Sequence, residues 1–372
     1  MSSFDVAAWR EQFPVTREWT YLDLANKCPL PSAVFEAWQS FLKETHERPG
    51  WKEEWRAKGE ALRAKIAKLI GATPAEIAFT QNTSDGLNLF ANAIDFAPGD
   101  NIVVHAKEHP NNLYPWLHLR RKGVDVRIAK STEGKIDLKD LVAHIDRSTR
   151  LVAVSWVSYC TGTRINLRAL STHCRANDAL LVVDGIQGVG ILEMSVVEQG
   201  IDMMACGPQK GLLSTHGIGF LYCRQSLAAA LTPAYVARSS LASFGFDEPL
   251  LDLAPDARRF EHGNQNYGGI YALDAAIDLI ESIGISAIES RVLHLSGTLI
   301  DLLTRKGIAV ITPADAEERG GIVVFATPHA QKTYAELKNR HIIVSVIDDD
   351  RIRVAPHFYN TEEELERLVA VV

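Results

Sequence analysis

A chain of 372 residues, 47% of them hydrophobic, can bury a large core and normally divides into two domains. A net charge of −7, with no run of Lys or Arg interleaved with aromatics, disfavours nucleic acid as a partner. Five scattered cysteines (Cys28, Cys160, Cys174, Cys206, Cys223) form no CxxC pair and suggest neither a metal site nor a disulfide framework; with no secretory signal in MSSFDVAAWREQF and no apolar run of membrane-spanning length, a cytoplasmic protein with no membrane partner is expected.

In chain order, the first dozen residues read as a short helix with Phe4, Val6, Trp9 and Phe13 available to one face. In TYLDLANKCPLP, residues 21–24 read as a short strand, broken by Pro29 and Pro31 before a helix over about 32–46. After Pro49 and Gly50, residues 51–70 form a charged amphipathic helix whose Trp and Leu stripe reads as packing. AEIAFTQNTSDGLNLFANAI then gives a strand, a polar turn and a helix that starts at Thr83 and Ser84. Free backbone N–H groups and the positive end of a helix dipole make such a start either a phosphate site or an ordinary N-cap.

NIVVHAKEHPNNLYPW follows as the next strand and turn, carrying His109, Asn111, Asn112, Pro115 and Trp116. Residues 130–167 read as strand end, loop, helix and strand, closing in a turn-rich piece with Ser158, Tyr159 and Gly162. Loops at the carboxyl ends of parallel strands are where such sheets bind ligands, so Tyr159 either looks into a site or packs.

The centre of the chain is LVVDGIQGVG (181–190), read together with ACGPQKGLL (205–213). An apolar, β-branched run ending at Asp184 is a buried strand that delivers a carboxylate at its tip. Lys210 sits in a loop composition of Gly, Pro and Gln, and a lysine held off the solvent is a candidate nucleophile. The pairing has a specific use: an aspartate that keeps a pyridine nitrogen protonated, and a lysine that forms a Schiff base with the same ring's aldehyde. The GVG and GIG pieces lack the third glycine of a dinucleotide fingerprint. From about residue 285 onward helix and strand patterns alternate (VLHLSGTLIDLLTRKG, IAVITP, GGIVVFAT, AELKNR, IIVSVI, RIRVAP, NTEEELERLVAVV), as in a small α/β sandwich.

Taken as an ordered set from YLDLANKCPLP to RIRVAPHFYNTEEE, these residues resemble the pyridoxal phosphate enzymes of fold type I, and more narrowly the class V aminotransferase and cysteine desulfurase superfamily. The resemblance implies an α/β fold with a mostly parallel seven-stranded sheet in a large domain, 15–284. A smaller C-terminal domain, 285–372, would follow, with residues 1–14 packing on it. Lys210 would hold pyridoxal 5'-phosphate as an internal aldimine and Asp184 would face the ring nitrogen. His109 would lie on the ring, Ile186 on its other face, and Gln187 at the phenolic oxygen.

By the same resemblance, Thr83, Ser84 and Gln209 would grip the phosphate. Many relatives carry His at 209 and Ser at 207; this chain has Gln209 and Gly207. Asn264, in the loop that begins at Phe260, stands where relatives commonly have Thr and would reach across a homodimer to complete a composite active site. Arg353 aligns with the arginine for the substrate carboxylate, with Arg351 as its neighbour. Asn26 and Lys27 replace small residues on the substrate side; they form a donor pair for a polar or acidic distal group unless Lys27 points to solvent. Between HIIVSVI and RIRVAP stand only Asp348, Asp349 and Asp350, where desulfurases carry their persulfide cysteine, so persulfide-type desulfuration is disfavoured. The expected function is a pyridoxal phosphate enzyme acting on an α-amino acid, first a class V aminotransferase. An epimerase or racemase and a β-eliminating carbon–sulfur lyase are the alternatives, and no fused DNA-binding segment supports a non-catalytic regulator.

Overall fold

The computed structural model describes residues 5–131, 136–243 and 251–372; Phe4, placed above on the first helix, lies outside them. Twelve strands carry the architecture among the described residues: β1 (Thr20–Tyr21), β2 (Ile77–Thr80), β3 (Asn101–His105), β4 (Asp125–Ala129), β5 (Thr149–Ser155), β6 (Leu180–Asp184), β7 (Met203–Cys206), β8 (Gly219–Cys223), β9 (Val323–Ala326), β10 (Ile342–Ile343), β11 (Ser345–Ile347) and β12 (Arg351–Val354). Seven of them form one sheet in the order β2-β8-β7-β6-β5-β3-β4. Strand β8 runs against both its neighbours and the other pairings are parallel. The mostly parallel seven-stranded sheet expected from the sequence is therefore present.

Period-two alternation sorts this sheet's side chains onto two buried faces. Val103, Val152, Leu181, Val183 and Met204 join one apolar cluster, while Ile102, Val104, Leu151, Val182 and Met203 join the other. Because both faces are covered, the inner parts of the central strands read as apolar runs, and three of them end in a polar residue at the carboxyl side: His105, Ser155 and Asp184. The order reverses between β5 and β3, and a crevice outside the strand ends at such a point is where open α/β sheets bind ligands.

Helices Ser32–Glu47 and Lys52–Leu69 both pack on helix Tyr267–Ile283. The first helix is shorter than the apolar spacing suggested. It runs Val6–Arg10, capped by Asp5, and Phe13 lies beyond it. There the Phe13 ring packs 4.2 Å from that of Tyr359, while Arg10 reaches Glu364 at 3.1 Å. Towards the C-terminus a three-stranded sheet, β11-β12-β9, is covered by an apolar cluster drawn from residues such as Leu299, Phe325, Ile352 and Leu365. The IIVSVI run divides: β10 pairs parallel with β1, whereas β11 pairs antiparallel with β12. IAVITP contributes only the single bridge from Val310 to Phe325. No helix among the described residues is long and apolar enough to cross a membrane.

One buried ion pair ties the helical layer to the sheet's edge. Arg63 Nη1 donates to Glu261 at 2.7 Å and to the Ile77 carbonyl at 2.7 Å, and Glu261 also accepts from the Phe79 N–H at 2.9 Å. Breaking a buried pair from one side strands a charge, which costs about 3–5 kcal/mol. Arg63→Ala should therefore lose about that much stability in chemical denaturation. Arg63 Nη2 also meets the exposed Glu60 at 3.1 Å, and removing that partner through Glu60→Ala should cost no more than about 1 kcal/mol. Equal, small losses in both variants would contradict this account of the pair.

Candidate active site

A cavity of about 400 Å3 opens at the carboxyl ends of the central strands and brings together Asp184, Lys210, His109 and Arg353. Asp184 ends β6 directly opposite Ser155 of β5. Among the described residues, its side chain has a single hydrogen-bond partner, the Ile186 N–H at 3.0 Å. Burial pushes its pKa up to about 6, opposed by that N–H and by the charge of Lys210.

Lys210 is held by backbone contact rather than by its own side chain. Gly190 has φ +84, and a Cβ there would stand 2.5 Å from the Gly211 carbonyl oxygen. Two glycines thus let the loop after β6 press against the lysine loop. The turn closes with Leu213 N–H donating to the Lys210 carbonyl at 2.9 Å, and the Cys28 N–H holds Gln209 from the other side at 2.8 Å. The Lys210 Nζ makes no hydrogen bond among the described residues. Burial lowers its pKa to about 8, with the charge of Asp184 acting against that fall and Arg353 adding to it.

At another wall, helix Thr83–Ala93 begins beneath its cap residue Asn82, whose side chain accepts from the Asp85 N–H at 2.9 Å. Ser84 Oγ also donates to that carboxamide, at 2.7 Å, while Thr83 Oγ1 is buried without a partner. Gly207 faces the same spot: a Cβ there would stand 2.5 Å from Gln209 Oε1 and 3.1 Å from Thr83 Oγ1. The Gln209 carboxamide therefore fills the space that a side chain at 207 would need, so Gly207 and Gln209 act as a matched pair. An orphaned hydroxyl beside the free N–H groups of a helix's first turn is a cradle for an anion.

His109 caps helix Pro110–His118, its Nδ1 accepting from the Asn111 N–H at 3.1 Å. Burial lowers its pKa, and the cations Lys210 and Arg353 lower it further. The ring is consequently neutral with its proton on Nε2. Tyr159 packs edge-on to it, centroids 5.0 Å apart, and lines the cavity. Gln187 and Ile186 line it too; the Gln187 amide donates to the Ala25 carbonyl at 2.9 Å. An anion cradle, a buried lysine amine without a partner and a buried carboxylate with spare acceptor capacity share one cavity. That donor set fits a pyridoxal phosphate group, which Thr83, Ser84 and Gln209 would hold at its phosphate, Lys210 at its aldehyde and Asp184 at its ring nitrogen.

Three residues singled out in the sequence do not join the cavity. Asn26 lines it, but Lys27 is exposed and opens onto an adjoining groove with Trp19 and Tyr334. Hydrogen bonds from the Asn26 and Lys27 N–H groups to the Asp23 carbonyl turn the chain, and Tyr21 Oη holds the Lys27 carbonyl at 2.9 Å. The two neighbours thereby part company. Arg351 sits 3.5 Å from Asp350 and 3.8 Å from Asp348, and Arg353 alone of the two lines the cavity. Asn264 lines a separate recess with Gln81 and Asp85, so within one chain it is not part of the site.

Sequence reasoning missed Asn82 and Ser155, which line the cavity, and Glu108 behind it. Asn82 carried a usable signal, an N-cap residue three positions before Asp85. Glu108 carried none. It is buried, accepts from Ser155 N–H and Oγ at 2.9 and 2.5 Å and from Asn112 at 2.8 Å, and burial raises its pKa to about 7.

Only an uncharged amine attacks an aldehyde, so the depressed pKa of Lys210 has a kinetic signature. The rate at which cofactor-free protein takes up pyridoxal 5'-phosphate should climb with pH and level off above about 8, followed as growth of the visible absorbance band. A rate still climbing steeply beyond pH 9.5, roughly one and a half units above that midpoint, would return Lys210 to an ordinary, solvated lysine.

The family model for Aminotransferase class-V matches residues 20–368. A probable cysteine desulfurase of Methanothermobacter thermautotrophicus is 32% identical, covering 96% of this chain and 95% of that protein. The uncharacterized aminotransferase YcbU of Bacillus subtilis is 31% identical, with 97% and 95% covered. Among solved structures, the apo cysteine desulfurase of Thermococcus onnurineus NA1 superposes with a TM-score of 0.89 at 29% identity, covering 98% of this chain and 96% of that one. A complex between the cystine C-S lyase C-DES and its product cysteine persulfide does so with a TM-score of 0.90 at 25% identity, covering 96% and 98%. These likenesses and the sheet agree on fold type I, and the chain belongs to the aminotransferase class-V family of enzymes, whose cofactor is pyridoxal 5'-phosphate.

Proposed function

We propose that this enzyme transforms a small α-amino acid, with Lys210 moving the substrate's α-proton and Arg353 holding its carboxylate, and that the reaction is transamination. One observation carries the reading: the unpartnered amine of Lys210, the buried Asp184 and the guanidinium of Arg353 face one cavity of about 400 Å3. Bound pyridoxal phosphate supplies a sink for the electron pair left at the α-carbon. Lys210, with its pKa near 8, is close enough to neutrality to accept a proton and to give it back. Asp184, held in an apolar strand end, favours a positive charge placed beside it. His109, kept neutral, offers a flat apolar face and one N–H donor. Arg353 fixes the carboxylate and with it the bond at the α-carbon that stands ready to break.

Several supporting readings travel with this one. A homodimer in which Asn264 of a second copy completes the phosphate cradle accounts for its place outside the site of its own chain. Five free cysteines suit a reducing cytoplasm. A division of the chain at residues 284 and 285 is supported by Gly284, at φ +88, which ends one long helix and begins the next, and by an apolar cluster that, apart from Leu22, is drawn from residues beyond it.

A second reading, β-elimination at a carbon–sulfur bond, is favoured by a specific feature. Relatives bear the name cysteine desulfurase, yet here β11 and β12 are joined by a turn of Asp348, Asp349 and Asp350 and none of the five cysteines lines the cavity. Sulfur chemistry at this site would release its sulfur with the product instead of passing it to a cysteine of the cavity wall.

A screen of amino acids against the purified enzyme separates the two. Transamination converts the cofactor to a stable pyridoxamine form in the absence of a keto acid, whereas elimination yields pyruvate and ammonia from cysteine or cystine without that conversion. Deuterium exchange at the α-carbon with neither outcome would contradict both and indicate a racemase. Arg353→Lys keeps the charge and loses the fork, so kcat/KM for the best amino acid should fall about ten- to a hundredfold. Arg351→Lys should leave it within about twofold, the range of an exposed ion pair. The reverse pattern would move the carboxylate to Arg351.

A further inference from the structure

Arg353 reaches the cavity already engaged. The pairing of β11 with β12 sets Ser345 directly opposite it. Its Nη2 lies 3.1 Å from Ser345 Oγ and 3.4 Å from Asp23 Oδ1, and Nη1 donates to the Tyr159 carbonyl at 3.3 Å. Both oxygens of Asp23 stand 2.8 Å from the same Ser345 hydroxyl. A hydroxyl has one proton to give, so Ser345 donates to Asp23 and accepts from Arg353, joining the two charges by a second path. Asp23 is 3% and Arg353 6% exposed. The carboxylate is not mobile: its backbone bridges to Ala355, just past β12, and its carbonyl closes the turn at Asn26 and Lys27.

A guanidinium grips a carboxylate with two neighbouring donors, either Nε with Nη2 or Nη1 with Nη2. Here both Nη2 hydrogens are committed, while Nε is buried with no partner. A substrate carboxylate therefore meets an arginine whose charge is balanced and whose two forks each lack a donor. We propose that Asp23 is an internal competitor for Arg353, a carboxylate of the protein itself, clamped by Ser345, that sets how loosely the enzyme holds its substrate's carboxylate. This rests on the assignment of Arg353 to that carboxylate. Tight binding shared by substrate and transition state lowers KM without raising kcat, so a grip weakened in advance keeps substrate and product exchangeable.

Asp23 would act on Arg353 as a positioning residue of unusual sign. An aspartate that merely orients Arg353 would, when removed, weaken carboxylate binding. A competitor, when removed, leaves a buried guanidinium without its counter-charge, which both destabilises the fold and sharpens its demand for an anion. The experiment uses the holoenzyme and propionate, a carboxylate with no amine to react. By calorimetry, Asp23→Asn should bind propionate about ten- to a hundredfold more tightly than the parent, the range of one charge-assisted hydrogen bond. Its thermal midpoint should fall, and propionate should raise that midpoint by more than it raises the parent's.

Ser345→Ala keeps both charges and frees one Nη2 donor, so it should tighten propionate binding in the same direction by a smaller factor; if Asp23→Asn does not fold, the sign of this change decides. Propionate affinity that is unchanged or reduced in these variants would overturn the competitor role. Arg353→Lys distinguishes the carboxylate site from the role of Asp23. If it leaves propionate affinity at the parental value, the carboxylate assignment itself fails. If it weakens binding while Asp23→Asn and Ser345→Ala bring no gain, only the inference about Asp23 fails.

Discussion

The structure depends on keeping a carboxyl and an amine out of water at the ends of neighbouring segments without letting them pair. Asp184 and Lys210 share a cavity, and no hydrogen bond or ion pair joins them among the described residues. Burial drives the acid's pKa up to about 6 and the base's down to about 8, each restrained by the other's charge. Ionisable groups left in this condition are costly to a fold, and they concentrate where a fold does chemistry. What holds them apart is backbone: the parallel ladder that fixes Asp184 beside Ser155, and the glycine contact that seats the lysine loop against the turn after β6.

The remainder of the cavity follows the same economy of local devices. One wall is a helix start that leaves a threonine hydroxyl unpartnered, and another is a histidine locked into one tautomer by the N–H it caps. Opposite them stands an arginine from the last strand, reached by a carboxylate more than three hundred positions earlier in the chain. Four stretches of chain, around residues 23, 83, 109 and 353, therefore meet at one place, and the small antiparallel sheet sets Ser345 across from Arg353.

These features differ in how far the amino-acid order alone reveals them. Asp184 was legible because a buried strand is written as an unbroken apolar run and a charge at its tip interrupts the pattern. Thr83 and Ser84 were legible because helix starts have a composition of their own. Lys27 was not, since adjacent residues in a turn diverge according to hydrogen bonds that no pattern encodes, here the two N–H groups shared by the Asp23 carbonyl. The same holds for Asp23 with Arg353 and for Glu108 with Ser155, where each carboxylate finds its partner only once the sheet has formed. The IIVSVI run reads as one strand because five β-branched apolar residues around Ser345 carry no mark showing where one partner strand gives way to another.

The central claim is that Lys210 is the residue to which the cofactor is bound. Reduction of the yellow holoenzyme with borohydride, proteolysis and mass spectrometry of the labelled peptide test it without any assumption about substrate. The account predicts a single pyridoxyl-modified lysine, Lys210, in the peptide that contains Gln209 and Gly211, and no modification in Lys210→Ala. A stoichiometric label on any other lysine, or one that persists in Lys210→Ala, would contradict it.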